Sequence, residues 1–280
     1  MVALDASSLI GLQPVPVFIA AACWELCYRI VAIAIILTYE WCPWLVRKGF
    51  DKDKLLSRGG IYAIALIHAT IMAVRGAGHV RAMRLAPAAV QLAFPDDAED
   101  PWYEPAAAVE LTNLLFFSWL TYDLGHMILQ YPILGAGDAV MHHIGFMSTS
   151  YICATHRILP FPFAWLLVGE LSSIPLNLRW FILNTGRSET PAMRTVNVAF
   201  ACTFFATRIV IYGLGMIHLW TVRQELQALA DTGVIARPLL LLVIVLIAAG
   251  YLLNMAWFTK ILRMARGERF YRKVPKKKRQ

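Results

Sequence analysis

Apolar stretches of 20 or more residues, separated by short polar interruptions, set the pattern of this chain. A helix needs about 20 mostly apolar residues to cross a bilayer, because hydrocarbon leaves no partner for an unpaired backbone group. Residues 238–258 meet that requirement without a single charge. The same criterion predicts seven spans, near residues 15–45, 60–81, 105–129, 138–156, 161–183, 193–221 and 238–262. The expected fold class is therefore all-α, a multi-pass membrane protein of about seven transmembrane helices. No internal repeat, low-complexity tract or Asn-x-Ser/Thr acceptor interrupts it.

Composition agrees with the pattern. The chain is 59% hydrophobic and 16% charged, with mean hydropathy +0.57, which excludes disordered, fibrous and ordinary soluble classes. The net charge of +8 would suggest nucleic acid if it were spread over a folded surface. It is not. From Lys260 onward ten basic residues stand against Glu268 alone, leaving +9, while the remaining 16 basic and 17 acidic residues leave −1. A basic segment directly after an apolar span reads as a cytosolic juxtamembrane tail, with no nucleic acid as partner.

With the tail in the cytosol, the basic loop Arg47, Lys48, Lys52, Lys54 and the pair Arg187 and Arg194 fall on the same side. The acidic loop Asp96, Asp97, Glu99, Asp100 and an N-terminus without Lys or Arg before Arg29 fall opposite. Arg81, Arg84, Arg157, Arg223 and Arg237 are exceptions to the positive-inside pattern. The expected topology is a luminal N-terminus and a cytosolic C-terminus, and the first span is expected to be its own insertion signal. Residues 1–46 form the luminal segment and first span, 47–262 the main membrane domain and 263–280 the tail. Cys23, Cys27, Cys42, Cys153 and Cys202 all lie in or beside spans, so no disulfide framework follows.

Ionisable residues inside spans cost several kcal/mol each, about 2.5 to 3.5 on insertion scales, and so face a cavity or a partner. The second span holds His68 and Arg75, the third Glu110, Asp123 and His126, the fourth Asp138, His142 and His143, the fifth Glu170 and Arg179, and the sixth Arg208. The seventh has none between Arg237 and Lys260 and reads as lipid-facing closure. Asp138 and His142, four apart, share a helix face, so the carboxylate could orient the imidazole as a general base or nucleophile; His143 is turned about 100° away. Asp123 and His126 form a second candidate pair. Glu25 and Arg29, at i and i+4, read as self-neutralising. The paired histidines could hold a metal only with ligands from other helices, and no metal is expected. Both could instead hydrogen-bond between helices and hold the bundle together.

The ordered run Tyr122-Asp123-Leu124, Asp138, His142-His143, Gly169-Glu170-Leu171-Ser172-Ser173, Asn177-Leu178-Arg179-Trp180-Phe181 and Arg208 resembles the TLC domain family, which includes the ceramide synthases. The resemblance covers about residues 47–262. It implies a helical barrel around a narrow acyl-chain cavity in the membrane. It also implies acyl transfer from acyl-CoA by the positions His142 and His143 together with two aspartates in the next span. Here Glu170 is followed by Ser172, Ser173, Ile174 and Pro175, so one carboxylate remains and strict ceramide synthesis is not expected.

The expected function is a protein of lipid homeostasis that binds an acyl lipid in the barrel and transfers the acyl group. Its catalytic candidates are His142, His143, Asp138 and Glu170, and its lipid contacts Asp123, His126, Arg179, Trp180, Arg208 and His68. No cofactor is expected, acyl-CoA entering as substrate; the partners are membrane lipids and an acyl chain, with a homodimer as a further expectation. Lys277 and Lys278 look like a dilysine retrieval signal read by a coat complex, which points to the endoplasmic reticulum. The same tail supports the alternative, a non-enzymatic cargo receptor or adaptor cycling to the Golgi.

Overall fold

A computed structural model describes residues 12–41, 51–131, 134 and 137–265. Cys42, residues 47–50 of the basic loop, and Lys277 and Lys278 lie outside the described residues. Eleven helices account for nearly all of the described chain: α1 (Pro14–Trp41), α2 (Lys52–Met83), α3 (Ala88–Leu92), α4 (Tyr103–Leu129), α5 (Gly137–Thr155), α6 (Pro160–Leu167), α7 (Ser173–Asn184), α8 (Pro191–Phe204), α9 (Tyr212–Thr221), α10 (Arg223–Asp231) and α11 (Arg237–Ala265). A 3₁₀ turn, Val168–Ser172, joins α6 to α7, and a π-helical segment, Phe205–Ile211, joins α8 to α9. These joins make seven long rods that match the seven spans expected from the sequence.

Five rods are long and apolar enough to cross a membrane: Pro14–Thr38, Lys52–Met83, Pro160–Asn184, Pro191–Thr221 and Arg237–Ala265. The protein is an all-α multi-pass membrane protein. Helices α4 and α5 have the length, 27 and 19 residues, but Glu104, Glu110 and Asp123 in one and Asp138, His142 and His143 in the other dilute their hydropathy. Part of the polarity that weakens them as spans, Asp123, His142 and His143, belongs to the candidate site.

Local chemistry sets the helix ends. Asp51 caps α2 by accepting from the Lys54 amide at 3.0 Å, and the Lys54 ammonium at 2.7 Å holds its carboxyl below the usual carboxylate range. Pro160 and Pro191 open α6 and α8, where a missing N–H costs nothing. Pro175 removes the N–H that would bond the Leu171 carbonyl, and the turn just before it tightens to 3₁₀. Ahead of and inside the π segment, the Thr203 and Thr207 hydroxyls donate to the carbonyls of Ala199 and Thr203, loosening the ladder there.

The rods pack in a closed ring: α2, α4, α5, α11, α8–α9, α6–α7 and back to α2. Helix α1 lies outside it, against α2 and α4. The expectation that the seventh span is the lipid-facing closure holds for its outer face, where Leu241, Leu242, Val245 and Leu252 are exposed, while its inner face is part of the core. Helix α11 buries Leu240, Val243, Ile247, Asn254 and Ile261, whereas Val15, Phe18, Ile19, Leu26, Ile30 and Ile33 of α1 are each more than half exposed. An uncharged helix can face either lipid or an apolar interior, so the lack of charge alone did not decide. Close approach of α2 to α6 depends on Gly76, where a Cβ would lie 2.8 Å from Leu167 Cβ and 3.0 Å from its backbone carbon. At the other side of α6, Leu159 takes a left-handed φ of 58° and its amide donates to Leu92 at 2.7 Å, which ties the loop after α5 to α3.

Candidate functional site

The pairing of carboxylates and histidines differs from the sequence expectation. His143 Nε2 lies 2.9 Å from Asp123 Oδ2 on α4, and Nδ1 lies 3.0 Å from the Ala139 carbonyl. The Ala139 carbonyl only accepts, so Nδ1 carries the proton of that contact, and Nε2 and the Asp123 carboxyl share a second proton between them. Asp138 does not orient His142. Its Oδ2 accepts from Trp257 Nε1 at 3.0 Å and lies 3.4 Å from Lys260 Nζ, so it ties α5 to α11. The i, i+4 spacing placed Asp138 and His142 on one face, but α11 offers Asp138 an indole donor and an ammonium there.

His142 is left with ring contacts alone: Phe146 at 4.6 Å and Trp257 at 5.2 Å between centroids, with no hydrogen bond among the described residues. It lines a cavity of about 270 Å³ walled by α5, α6, the start of α9, and α11, including Phe146, Thr149, Leu166, Tyr212 and Leu253. Met141, Ile144 and Ala249 at its edge are exposed, so it opens between α5 and α11 on the outside of the ring. The lining is almost wholly apolar apart from His142, Ser148, Thr149 and Tyr212, and its size is near the lower end for small-molecule sites.

A second, tighter recess adjoins it and shares Phe146, Thr149, Leu166 and Tyr212. Glu170 and Arg208 close this recess. Arg208 Nη2 donates to Glu170 Oε1 at 3.1 Å, and Nε donates to Ser172 Oγ at 2.9 Å. The 3₁₀ turn presents Glu170 and Ser172 while the π segment presents Arg208, so two irregular stretches meet at one ion pair. Single π-helical insertions recur at functional sites because they redirect a side chain without ending the helix. The site of the missing second aspartate is thus occupied by serines, with Ser172 satisfying the guanidinium.

Other expected lipid contacts lie elsewhere. His126 does not pair with Asp123; its Nε2 lies 3.0 Å from Glu25 Oε2, and Glu25 also holds Arg29 at 2.6 Å. Together they dock the outer helix α1 onto α4. Arg179 donates through Nε to Asn197 Oδ1 at 2.8 Å, bracing α7 against α8, and the neighbouring Trp180 stacks on Tyr62 at 4.1 Å. His68, 2% exposed, stacks on Trp119 at 4.4 Å within a nest of Trp24 and Phe116. None of these four lines the cavity beside His142. The rings of His142 and His143 are 5.9 Å apart and 72° inclined, and no group of three or more metal-ligating side chains comes together among the described residues.

Sequence reasoning missed Tyr212 and Thr149, which line the cavity, Trp257, which packs on His142 and bonds Asp138, and the Asn113–Ser150 pair that joins α4 to α5. It also missed Thr112, which accepts from Arg75 Nε and faces His79 Nε2, each at 2.7 Å. Uncharged polar residues in spans were the available signal.

A ring of membrane-crossing helices, with His142 at a largely apolar cavity in its wall and the Glu170–Arg208 pair at the recess beside it, defines a class of intramembrane proteins. The family model for the TLC domain matches residues 61–263, and the chain belongs to that family. TLC domain-containing protein 4-B of Danio rerio is similar to it, 29% identical over 119 residues, which are 41% of this chain and 45% of that protein. The chain thus matches under half the length of this relative.

Proposed function

We propose that the protein binds an acyl lipid in the cavity between α5, α6, α9 and α11 and that His142 serves acyl transfer there. The observation that carries this reading is an imidazole without a hydrogen-bond partner, set in a mostly apolar cavity that opens sideways between α5 and α11. An acyl chain enters such an opening without leaving the hydrocarbon. His142 accepts the proton of an attacking lipid hydroxyl or amine as the new bond forms at the acyl carbonyl, and returns it to the sulfur as the C–S bond of an acyl thioester breaks and the thiol leaves. His143, held by Asp123 and the Ala139 carbonyl, positions the adjoining face of α5 beside His142. The Glu170–Arg208 pair shapes the inner end of the site. The TLC membership supports a role in lipid homeostasis, and the basic residues that follow the last span support a cytosolic face on that side of the membrane.

Lipid mass spectrometry of the purified full-length protein tests this. The wild type is expected to carry a defined acyl lipid, and His142→Ala to lose turnover of an added acyl thioester while staying monodisperse. A protein that carries no acyl lipid above the detergent background would overturn the reading.

A further inference from the structure

Two of the arginines that break the positive-inside pattern come together in the fold. Arg223, which opens α10, and Arg237, which opens α11, line one groove of about 760 Å³ formed by α9, α10 and α11. They lie at the end of α11 remote from the basic tail, the side on which basic residues are not favoured. Helix α10 makes the groove. It turns Leu226 into the core and leaves Arg223, Gln227 and Asp231 exposed, the two-faced pattern of a helix at a membrane surface. Trp220, 69% exposed at the end of α9, belongs to the same depth, where indole rings favour the boundary between hydrocarbon and water.

The floor of the groove is apolar. Leu219, Leu226 and Leu240 are buried in it, and Met216, Leu241 and Ile244 continue it along α9 and α11 into the membrane. At 1.5 Å per residue, Ile244 lies about 10 Å deeper than Arg237. The mouth is polar. Arg223 Nη1 donates to the Trp220 carbonyl at 3.0 Å and the guanidinium stands 4.9 Å from the Trp220 ring centroid, with no carboxylate paired to it among the described residues. Arg237 Nε and Nη2 both donate to Asp231 Oδ1, at 3.2 and 2.5 Å. Glu225, the other carboxylate of α10, does not line the groove, so two guanidinium groups against Asp231 leave its mouth at +1. Gln227, one turn after Arg223, adds an amide on the same face. This groove and the His142 cavity share no lining residue.

A ligand that matches this surface has an apolar chain to lie along α9 and α11 and one negative charge where the chain meets water. We propose that the groove binds an anionic phospholipid of the leaflet remote from the tail, its acyl chain on the leucine floor and its phosphate on Arg223 and Arg237. A guanidinium presents a planar fork of N–H donors that fits two phosphate oxygens, and such charge-assisted contacts are stronger than neutral ones. Arg223 has most of that fork unspent. A free phosphate would satisfy the arginines and leave the floor bare, whereas an uncharged glyceride would cover the floor and leave Arg223 unmatched. The volume lies within the ordinary range for ligand sites, about 300 to 1,000 Å³. The phospholipid is held as a bound lipid with no bond made or broken, and the site stands independently of acyl transfer at His142.

The test is native mass spectrometry of the full-length protein released from nanodiscs of mixed phosphatidylcholine and phosphatidylglycerol. The wild type is expected to retain phosphatidylglycerol in preference to phosphatidylcholine, and Arg223→Gln to bind it roughly five- to tenfold more weakly, the loss of one charge-assisted contact at a partly open site. Arg223 is exposed and outside any recorded ion pair, so the variant should fold like the wild type. Arg84→Gln removes an equal charge on the same side of the membrane, away from the groove, and should leave retention unchanged. Equal retention of both lipids by the wild type overturns the proposal. A preference that survives in Arg223→Gln belongs to the basic tail and overturns it too, as does an equal loss in Arg84→Gln. Displacement of the lipid by soluble glycerol 3-phosphate would make this a site for free phosphate compounds, against the proposal. A dimer without bound lipid, dissociated by Leu241→Glu, would give the groove to a second copy of the chain and likewise overturn it.

Discussion

His143 and Asp123 face each other across α4 and α5 at 2.9 Å, and this pair, rather than Asp138 with His142, is the carboxylate–imidazole couple of the site. Both partners are mostly enclosed, with side-chain exposures of 16% and 18%. Removing one charge from an enclosed pair leaves the other uncompensated, so Asp123→Asn is expected to cost about 2 to 4 kcal/mol. Asp138 and Lys260 are 38% and 55% exposed, and Asp138→Asn should cost about 1 kcal/mol or less. Thermal unfolding of the two variants in the same detergent checks the order. A larger loss in Asp138→Asn would reverse the assignment.

The number of the rods and most of their limits were legible in hydropathy because a span is a local property: expected residues 238–262 became Arg237–Ala265 and 105–129 became Tyr103–Leu129, whereas 60–81 became Lys52–Met83 because a polar first stretch continues the helix. Pairing was not legible. His126 and Asp123 share α4 and satisfy the i, i+3 rule, yet each finds a nearer partner on another helix, Glu25 in α1 and His143 in α5. Helix spacing restricts which side chains share a face but carries no information about what packs against it. The same limit explains α11, whose lack of charge fits a lipid-facing helix and an apolar cavity wall equally well. The Glu170–Arg208 pair depends on a 3₁₀ turn and a π segment, and regular periodicity predicts neither.

Arg208 and Glu170 form an enclosed ion pair in which the guanidinium is also held by Ser172. Arg208→Leu leaves the Glu170 carboxylate facing an apolar recess and is expected to destabilise by about 3 to 5 kcal/mol. Adding Glu170→Leu should restore part of that loss, with a coupling energy of about 1 to 3 kcal/mol. A double-mutant cycle by chemical or thermal unfolding measures it. Strict additivity of the two single losses would show that the pair contributes nothing as a pair.

Gly76 and Gly78 stand two residues apart on α2 and predict opposite outcomes for the same substitution. A Cβ at Gly76 meets Leu167, including its backbone carbon at 3.0 Å, whereas at Gly78 nothing lies within 4 Å. Backbone cannot rotate away as a side-chain tip can, so Gly76→Ala should push α2 from α6 and cost about 1 to 3 kcal/mol. Gly78→Ala removes unfolded-chain freedom without a clash and should gain about 0.5 to 1 kcal/mol. Unfolding midpoints that move in the same direction for both would contradict the packing described for α2 and α6.

Filling the cavity separates binding from folding. Leu253 is half-buried on the wall contributed by α11, beside Gly250 and opposite the α5 residues His142 and Phe146. Enlarging it to Trp places a bicyclic ring into a space of about 270 Å³ without removing any hydrogen bond of the fold. Because the space opens outward past Met141 and Ile144, the ring has room to settle, and the unfolding temperature should stay close to that of the wild type. Acyl lipid carried through purification should fall by severalfold in Leu253→Trp relative to wild type, measured as lipid per protein by mass spectrometry. The same enlargement at Leu252, 68% exposed on the outer face of α11, should leave the load unchanged. Equal loss in both would assign the co-purified lipid to the outer surface of the ring, and equal retention in both would place it at a site other than the His142 cavity.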